Sequence, residues 1–415
     1  MKTLPLASET LLRIAKKYPT PFYLYDENAI RQNARRLQAA FAWNRGYREF
    51  FSVKCNPNPA LLSIFKEEGC GVDCASETEL LLARACGFSG DDIMFTSNNT
   101  TAAEFRLARE LDAIINLDDT GHLDFLQRVA SLPERISCRY NPGIEIRYQN
   151  QCIIDFAGSK FGATKEQISA AFRSLPSQGI KTFGIHAQFG CHRREADYFG
   201  SAIRCLFSFA IELFQSSGIK VSFINFAGGL GIPYRPGEDA ADIAAVSAAI
   251  QAAYDEIIVP SALHPLALFS ELGLYMTGPY GYFVSSVLHI KETDKQFAGL
   301  DASTNAFLSP LRYNDYHHIS VPGKEAQPFN QRYDITGALC ENRDRFAVDR
   351  ELPTLVTGDI LVFHDAGAYG YSHSTTFNGK LRPAELLLTA EGSVKTIRRA
   401  ETPQDYFATL SFDGR

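Results

Sequence analysis

The sequence predicts a parallel (β/α)8 barrel of the TIM type followed by a β-rich domain. Three observations carry that prediction. Short apolar runs alternate with amphipathic helical stretches from about Phe22 to Gly273, and the unit recurs about eight times over roughly 240 residues, the rhythm of such a barrel. Beyond Gly273 helical stretches thin out and strands joined by turns take over. At 415 residues the chain is also too long for one ordinary small domain. A doubly wound sheet is the alternative arrangement of the same alternation.

In order along the chain, FYLYD reads as a strand and ENAIRQNARRLQAAF as a helix, then YREFFSVK as a strand and NPALLSIFKEEG as a helix. GVDCAS with SETELLLARACG, DDIMFTS with TAAEFRLARELD, and AIINLD with GHLDFLQRVASL continue the rhythm. ISCRYNPG, KTFGIHAQFG, VSFINFAGGLGIPY and LALFSELG supply the later strands, with helical segments between them. After these come GYFVSSVLHIKET, KQFAGLDAS, RYDITGALC, DILVFHDAGAYG and AELLLTAEGSVKTIRR, which read as a β-domain. The expected division is a barrel over residues 26–275 and a β-domain built from residues 1–25 and 276–415.

Hydrophobic residues make up 45% of the chain, charged residues 21% and aromatics 12%, the profile of a soluble globular protein of enzyme size. The net charge of −6, with no basic run, argues against nucleic-acid and anionic-membrane partners. The N-terminal stretch has no signal-like apolar core, and no segment approaches ~18 uninterrupted apolar residues. Nine cysteines, scattered without a CxxC pair, fit a reduced cytoplasmic compartment better than a disulfide framework or a zinc site.

The chemistry centres on FSVKCNPNP (51–59), where Lys54 ends an apolar strand. On position alone it is either a snorkelling side chain or a reactive amine in a dry pocket. A barrel gathers its reactive groups at the C-terminal ends of its strands, which places Lys54 at the reactive rim. There a desolvated lysine can form a Schiff base with a carbonyl cofactor. NFAGGLGIPY (225–234) follows a strand directly, and its glycines suit either a tight turn or a backbone phosphate cradle; it fits the dinucleotide GxGxxG pattern poorly. A strand-end lysine with a strand-end phosphate cradle suggests pyridoxal 5'-phosphate. Glu271, in SELG at the close of an apolar strand, is an exposed strand-end acid or the partner of a protonated pyridine nitrogen. Cys340 in ALCENRD is a small buried hydrophobe or a proton donor, and Tyr369 in HDAGAYG a core residue or a phosphate or substrate contact.

Taken together these residues resemble the fold-type III pyridoxal-phosphate decarboxylases, diaminopimelate decarboxylase first and ornithine and arginine decarboxylases more distantly. The likeness runs from TPFYLYD to RPAELLL and on to IRR. FSVKCNPNP resembles the family's Y-A-x-K-A-N, and GVDCASETEL, with Asp73, its G-x-D-x-x-S-x-G-E-L; SKFG (159–162) also fits. NFAGGLGIPY, CENRD and GAYG resemble the glycine loop, C-E-S-G-D and G-A-Y-G.

The resemblance implies an alanine racemase-like barrel in which Lys54 holds the cofactor as a Schiff base. Asp73 and Gln188 would line the cofactor site, Gly228, Gly229 and Gly231 would contact the phosphate, and Glu271 the pyridine nitrogen. Cys340 and Glu341 would enter the site of the partner subunit in an obligate head-to-tail homodimer with shared active sites. The substrate's α-amine would displace Lys54, CO2 would leave, and Cys340 or Lys54 would protonate Cα while Tyr369 holds phosphate or substrate.

Several positions depart from the pattern. The family's H-I-G-S reads QFGC, with Gln188 where a histidine stacks on the cofactor; His186 and His192 lie nearby, out of register. E-P-G-R reads ELGL, placing Leu274 where an arginine is expected, and R-P-x-x-Y reads SPLRY, with Ser309 at another arginine and Tyr313 kept. Ala227 and Thr78 replace glycines. The two missing arginines remove bidentate recognition of a distal carboxylate. Arg312 and Arg343 either compensate as substrate contacts or are solvated surface charges. The expected activity is a decarboxylase of diaminopimelate type. The alternatives are a decarboxylase of a modified amino-acid intermediate in siderophore or antibiotic biosynthesis, and a cofactor-binding barrel without efficient turnover.

Overall fold

The computed structural model describes residues 2–143, 147–148, 151–152, 158–188 and 190–412. The chain divides into two compact units, one of Arg31–Ile232 with Ala240–Met276, the other of Met1–Ile30, Pro233–Asp239 and Thr277–Arg415.

The first unit is a closed eight-stranded barrel. Numbering strands along the chain, with β1 at Phe22–Asp26, its staves are β2 (Arg48–Ser52), β3 (Gly71–Cys74), β4 (Ile93–Ser97), β5 (Ile114–Leu117), β6 (Arg135–Arg139), β7 (Thr182–His186), β8 (Val221–Asn225) and β9 (Ala267–Ser270). They are parallel and neighbours in sequence order, and β9 closes on β2. Side chains alternate between the two faces of a strand. Phe50, Met94, Ile114 and Phe223, with Ala267 and Phe269, form one buried cluster that fills the barrel interior. Phe223 lies so close to Gly184 that a Cβ there would meet its ring at 2.1 Å. The glycine is what lets that large ring fill the plug.

The second unit carries a nine-stranded mixed sheet. Continuing the numbering, its strands are β10 (Gly281–Glu292), β11 (Gln296–Leu300), β12 (Ile319–Ser320), β13 (Gln331–Thr336), β14 (Arg345–Leu352), β15 (Ile360–Phe363), β16 (Ala384–Leu388) and β17 (Val394–Arg398), together with β1. The main path runs β14-β13-β11-β10-β1-β16-β17, with β15 bridging β10 and β12. FYLYD, which the alternation counts with the barrel but the division at residue 26 gives almost wholly to the β-domain, is a stave of this sheet. It pairs antiparallel with β10 and parallel with β16, Phe22 opposite Val284 and Ala384. Phe22 and Leu24 pack with Leu11, Ile14, Tyr282, Val284, Val362, Leu386 and Leu388. The local pattern misleads because a strand buried on both faces and a barrel stave share one apolar signature, and the pairing partners lie at the far end of the chain. Among the described residues no helix is long and apolar enough to cross a membrane.

Candidate active site

The alternation that aims Phe50, Met94, Ile114 and Phe223 inward also aims inward the residues two places further along each strand. The apolar plug is thus capped by Ser52, Thr96, Asn116, Asn225 and, from neighbouring staves, Asp73, Arg139 and His186. A barrel whose interior turns from apolar to polar at the C-terminal ends of its strands has built a reactive rim.

Lys54 stands on a 3-10 turn, Val53–Cys55, directly after β2. The CNPNP segment fixes this ending: Asn58 caps the next helix by accepting from Ala60 N, and Pro59 occupies its first turn, where no amide donor is needed. The Lys54 side chain remains about half exposed, at 52%, in an open mouth, with Nζ 3.7 Å from Asp73 Oδ2. Burial by surrounding protein opposes its charge, but the Asp73 and Glu271 carboxylates outweigh that and raise its pKa above the ordinary lysine value.

Glu271 follows β9 and is buried. Its Oε1 accepts from Asn225 Nδ2 at 2.7 Å and lies 3.3 Å from His186 Nε2. Burial opposes ionisation, yet His186, Lys54 and the Asn225 amide hold the Glu271 carboxyl below its usual range. Asp73 goes the other way: burial and the nearby Glu271 charge push it up to about 8, against the pull of Lys54. Two buried carboxylates facing one ammonium cannot both ionise cheaply, and the better hydrogen-bonded Glu271 keeps the negative charge. Burial holds His186 below its ordinary value.

The glycine loop is tightly packed. Ala227 adopts φ +55°, left-handed backbone that its Cβ makes costly. Asn225 Oδ1 accepts from Ala227 N at 2.8 Å, and Ala227 O accepts from Glu271 N at 2.7 Å. A Cβ at Gly228 would lie 2.5 Å from Glu271 O, at Gly229 (φ +97°) 2.4 Å from Gly190 O, and at Gly231 2.6 Å from His192. Gln188 ties this loop to its neighbour: Nε2 donates to Gly190 O at 2.7 Å, and Oε1 accepts from Gly228 N at 3.2 Å. Gly231 N donates to Arg193 O at 2.7 Å. Two of the three N–H groups expected at a phosphate are thus engaged within the protein. Phe189, inside the QFGC segment, lies outside the described residues.

The barrel unit thus brings together Lys54, Asp73, Gln188, the three glycines and Glu271. It also adds residues that motif reading missed. Arg139, ending β6, is half-buried with its guanidinium 4.3 Å from the Phe161 ring centre and 4.0 Å from Asp118 Oδ1. His186, out of register with the motif, ends β7 at the rim. Strand-end position was the signal that would have found His186, Arg139 and Asn225.

In the second unit Arg312, Tyr313 and Tyr369 gather around a further missed residue, His373. The His373 ring centre lies 5.2 Å from Tyr369 and 6.2 Å from Tyr313, and Arg312 stands over the Tyr313 ring. Burial, then the Arg312 charge, hold His373 below its ordinary pKa. Tyr369 itself is at φ +59°. Cys340 is exposed on the CENRD turn, which Asp344 knits from beneath by accepting from Thr304 N, Thr304 Oγ1 and Leu339 N at 2.7–2.8 Å. Glu341 accepts from Arg343 N and Nε within that turn, which holds its carboxyl below the usual range. Ser309 donates to Asp315.

The rim residues fit pyridoxal phosphate. Asp73 Oδ1, Asn116 Oδ1, Asp118 Oδ1 and His186 Nδ1 are buried without a hydrogen-bond partner. Each orphaned polar atom costs about 1–3 kcal/mol, so this many at one barrel mouth marks a place built for a polar ligand. An amine, an ionised carboxylate and a glycine loop stand around them, as a pyridine aldehyde with a phosphate arm requires.

A family model described as pyridoxal-dependent decarboxylase, pyridoxal binding domain, matches residues 27–278. Over 399 residues the chain is 38% identical to Protein TabA of Pseudomonas amygdali pv. tabaci, covering 96% of this chain and 93% of that protein. It is 35% identical over 395 residues to the diaminopimelate decarboxylase of Methanothermobacter thermautotrophicus, covering 95% and 92%. Among solved structures, diaminopimelate decarboxylase from M. jannaschii with L-lysine superposes at a TM-score of 0.89 with 27% identity, covering 97% of this chain and 94% of that one.

Proposed function

The chain belongs to the pyridoxal-dependent decarboxylases, and from that premise we propose that it releases the α-carboxylate of a modified α-amino acid whose far end differs from that of diaminopimelate. One observation carries the substrate reading. Where the family resemblance puts two arginines, this chain has Leu274, half-buried, and Ser309, which is bonded to the carboxylate of Asp315. With neither position an arginine and an acid bonded to Ser309, the bidentate grip on a bare distal carboxylate is lost at both. Diaminopimelate itself is the second reading, favoured by the named relatives and by Arg312 beside Tyr313.

Pyridoxal phosphate, when bound, supplies the sink for the electrons that the departing carboxylate leaves behind. The chain's own residues do the rest. Lys54 Nζ would hold the cofactor. Ionised Glu271, steadied by Asn225 and His186, would face its ring nitrogen and favour a proton there. Gly229 and its neighbours would receive the phosphate, and a protonated Asp73 would leave the Glu271 charge unopposed. Cys340 of the partner subunit, in a homodimer with shared sites, delivers the proton to Cα, with Tyr369 holding substrate. The chemistry and the absence of a membrane-spanning helix among the described residues fit a cytoplasmic enzyme.

The test is CO2 release from a panel: meso-diaminopimelate, lysine and ornithine against diamino acids acylated or carboxylated at the distal amine. The expected result is a higher kcat/KM on a distally modified member. A clear preference for meso-diaminopimelate over every modified compound would overturn the substrate reading in favour of the second.

A further inference from the structure

One buried acid at the seam where the barrel closes has no part in the chemistry above. Glu49 lies on β2, five residues before Lys54, and is buried. Strand alternation turns Phe50 into the barrel and Glu49 to the outer face of its wall. There Glu49 Oε1 accepts from Leu272 N at 2.7 Å, and its Oε2 accepts from the Ser270 hydroxyl. Ser270 Oγ also pairs with Tyr47 OH at 2.7 Å, and the Tyr47 ring stacks on Phe41 at 4.3 Å. Glu49 therefore grips the residues on either side of Glu271.

The place of this clasp matters. β2 and β9 close the barrel, and their ladder comprises only two residue pairs, Phe269 with Arg48 and Ser270 with Glu49. Lys54 leaves one of these strands and Glu271 the other, so the seam sets the spacing between the amine and the carboxylate that must address one cofactor. The sequence supplies the clasp through a departure. Where E-P-G-R has a proline, with no N–H to give, ELGL has Leu272, whose N–H is the donor. Other bonds act on the same turn: Glu271 N donates to Ala227 O and Ser52 Oγ to Glu271 O, while Gly273 stands where a Cβ would meet Cys55 Sγ at 2.2 Å. Burial, opposed by the Ser270 and Leu272 bonds, pushes Glu49 up to about 8, so it is carried as a neutral acid.

We propose that Glu49 is a positioning residue that acts through Leu272 N–H and Ser270, from outside the barrel wall, to fix Glu271 relative to Lys54 for cofactor binding. The proposal rests on the reading that pyridoxal phosphate binds at this mouth. In Glu49→Gln the amide oxygen still accepts from Leu272 N and the amide N–H donates to Ser270 Oγ, whose own hydroxyl turns to Tyr47 OH, so glutamine keeps the clasp and Glu49→Ala removes it.

The experiment is titration of the cofactor-free protein with pyridoxal phosphate, followed by absorbance and fluorescence, which reads binding without turnover. Glu49→Ala is expected to raise Kd about tenfold, the worth of a buried hydrogen bond lost beside the ligand, with Glu49→Gln within about twofold of wild type. Leu272→Pro, which deletes the donor, is expected to weaken binding similarly, and adding Glu49→Ala to it to cost little more. An unchanged Kd in Glu49→Ala, failure of glutamine to rescue, or fully multiplicative losses in the double variant would overturn the proposal. Should Glu49→Ala not fold, Leu272→Ala against Leu272→Pro decides, because only proline removes the N–H; equal Kd values would refute the clasp. A wild type that takes up no pyridoxal phosphate would overturn the cofactor reading itself, a result distinct from normal uptake indifferent to Glu49.

Discussion

Replacing Glu271 by glutamine isolates the charge at the bottom of the site. Asn225 Nδ2 donates to Glu271 Oε1 at 2.7 Å and would find the same acceptor on a glutamine, so the local fold has no reason to change. What disappears is the negative charge proposed to face the cofactor's ring nitrogen. At an effective dielectric near 20, a unit charge pair about 4 Å apart is worth roughly 4 kcal/mol before desolvation. A charge-assisted hydrogen bond nets about 1.5–3 kcal/mol, which puts the loss in cofactor affinity at about 10- to 150-fold. Titration of cofactor-free wild type and Glu271→Gln with pyridoxal phosphate measures this, and thermal melts of both unliganded proteins control for folding. Matching Kd values with intact folding would refute the assignment of Glu271 to the ring nitrogen.

Mixing inactive Lys54→Ala with inactive Cys340→Ala is expected to restore roughly a quarter of wild-type activity, because half of randomly re-formed dimers are hybrids and each hybrid has one intact site; no recovery would reject shared sites. Asp73 has its folded-state pKa raised to about 8, so it binds a proton more tightly folded than unfolded and its contribution to stability is lost as pH rises from about 4 through 8. Asp73→Asn should therefore lose less Tm than wild type between pH 6 and pH 8 in the cofactor-free protein, and parallel profiles would contradict that burial. Arg312→Ala is expected to raise KM for a substrate with a distal acid about 5- to 20-fold with kcat little changed; unchanged kinetics would remove Arg312 from the substrate site.

Much of the fold was legible because each barrel stave is followed by its own helix, so that the unit is local in sequence. The pairing of FYLYD was not, since its two partner strands begin at Gly281 and Ala384 and nothing within five residues encodes such partners. Lys54 and Glu271 stood out as charges ending apolar runs. His186 and Arg139 end strands in the same way but fell outside the motif letters being matched. Glu49 was invisible for a different reason: an acid at the start of a strand looks like a solvated edge until the closing strand is laid against it. Gln188 could be read as a departure, but not that its amide would bridge Gly190 and Gly228. Such bridges depend on loops that meet only when the barrel closes.

The central claim is that Lys54 carries the cofactor. Borohydride reduction of the cofactor-loaded protein, followed by peptide mass spectrometry, traps the bond and locates it. The account predicts one pyridoxyl adduct, on the peptide containing Lys54, absent from Lys54→Ala. An adduct on a different lysine, or none in a protein that retains bound cofactor, would contradict it.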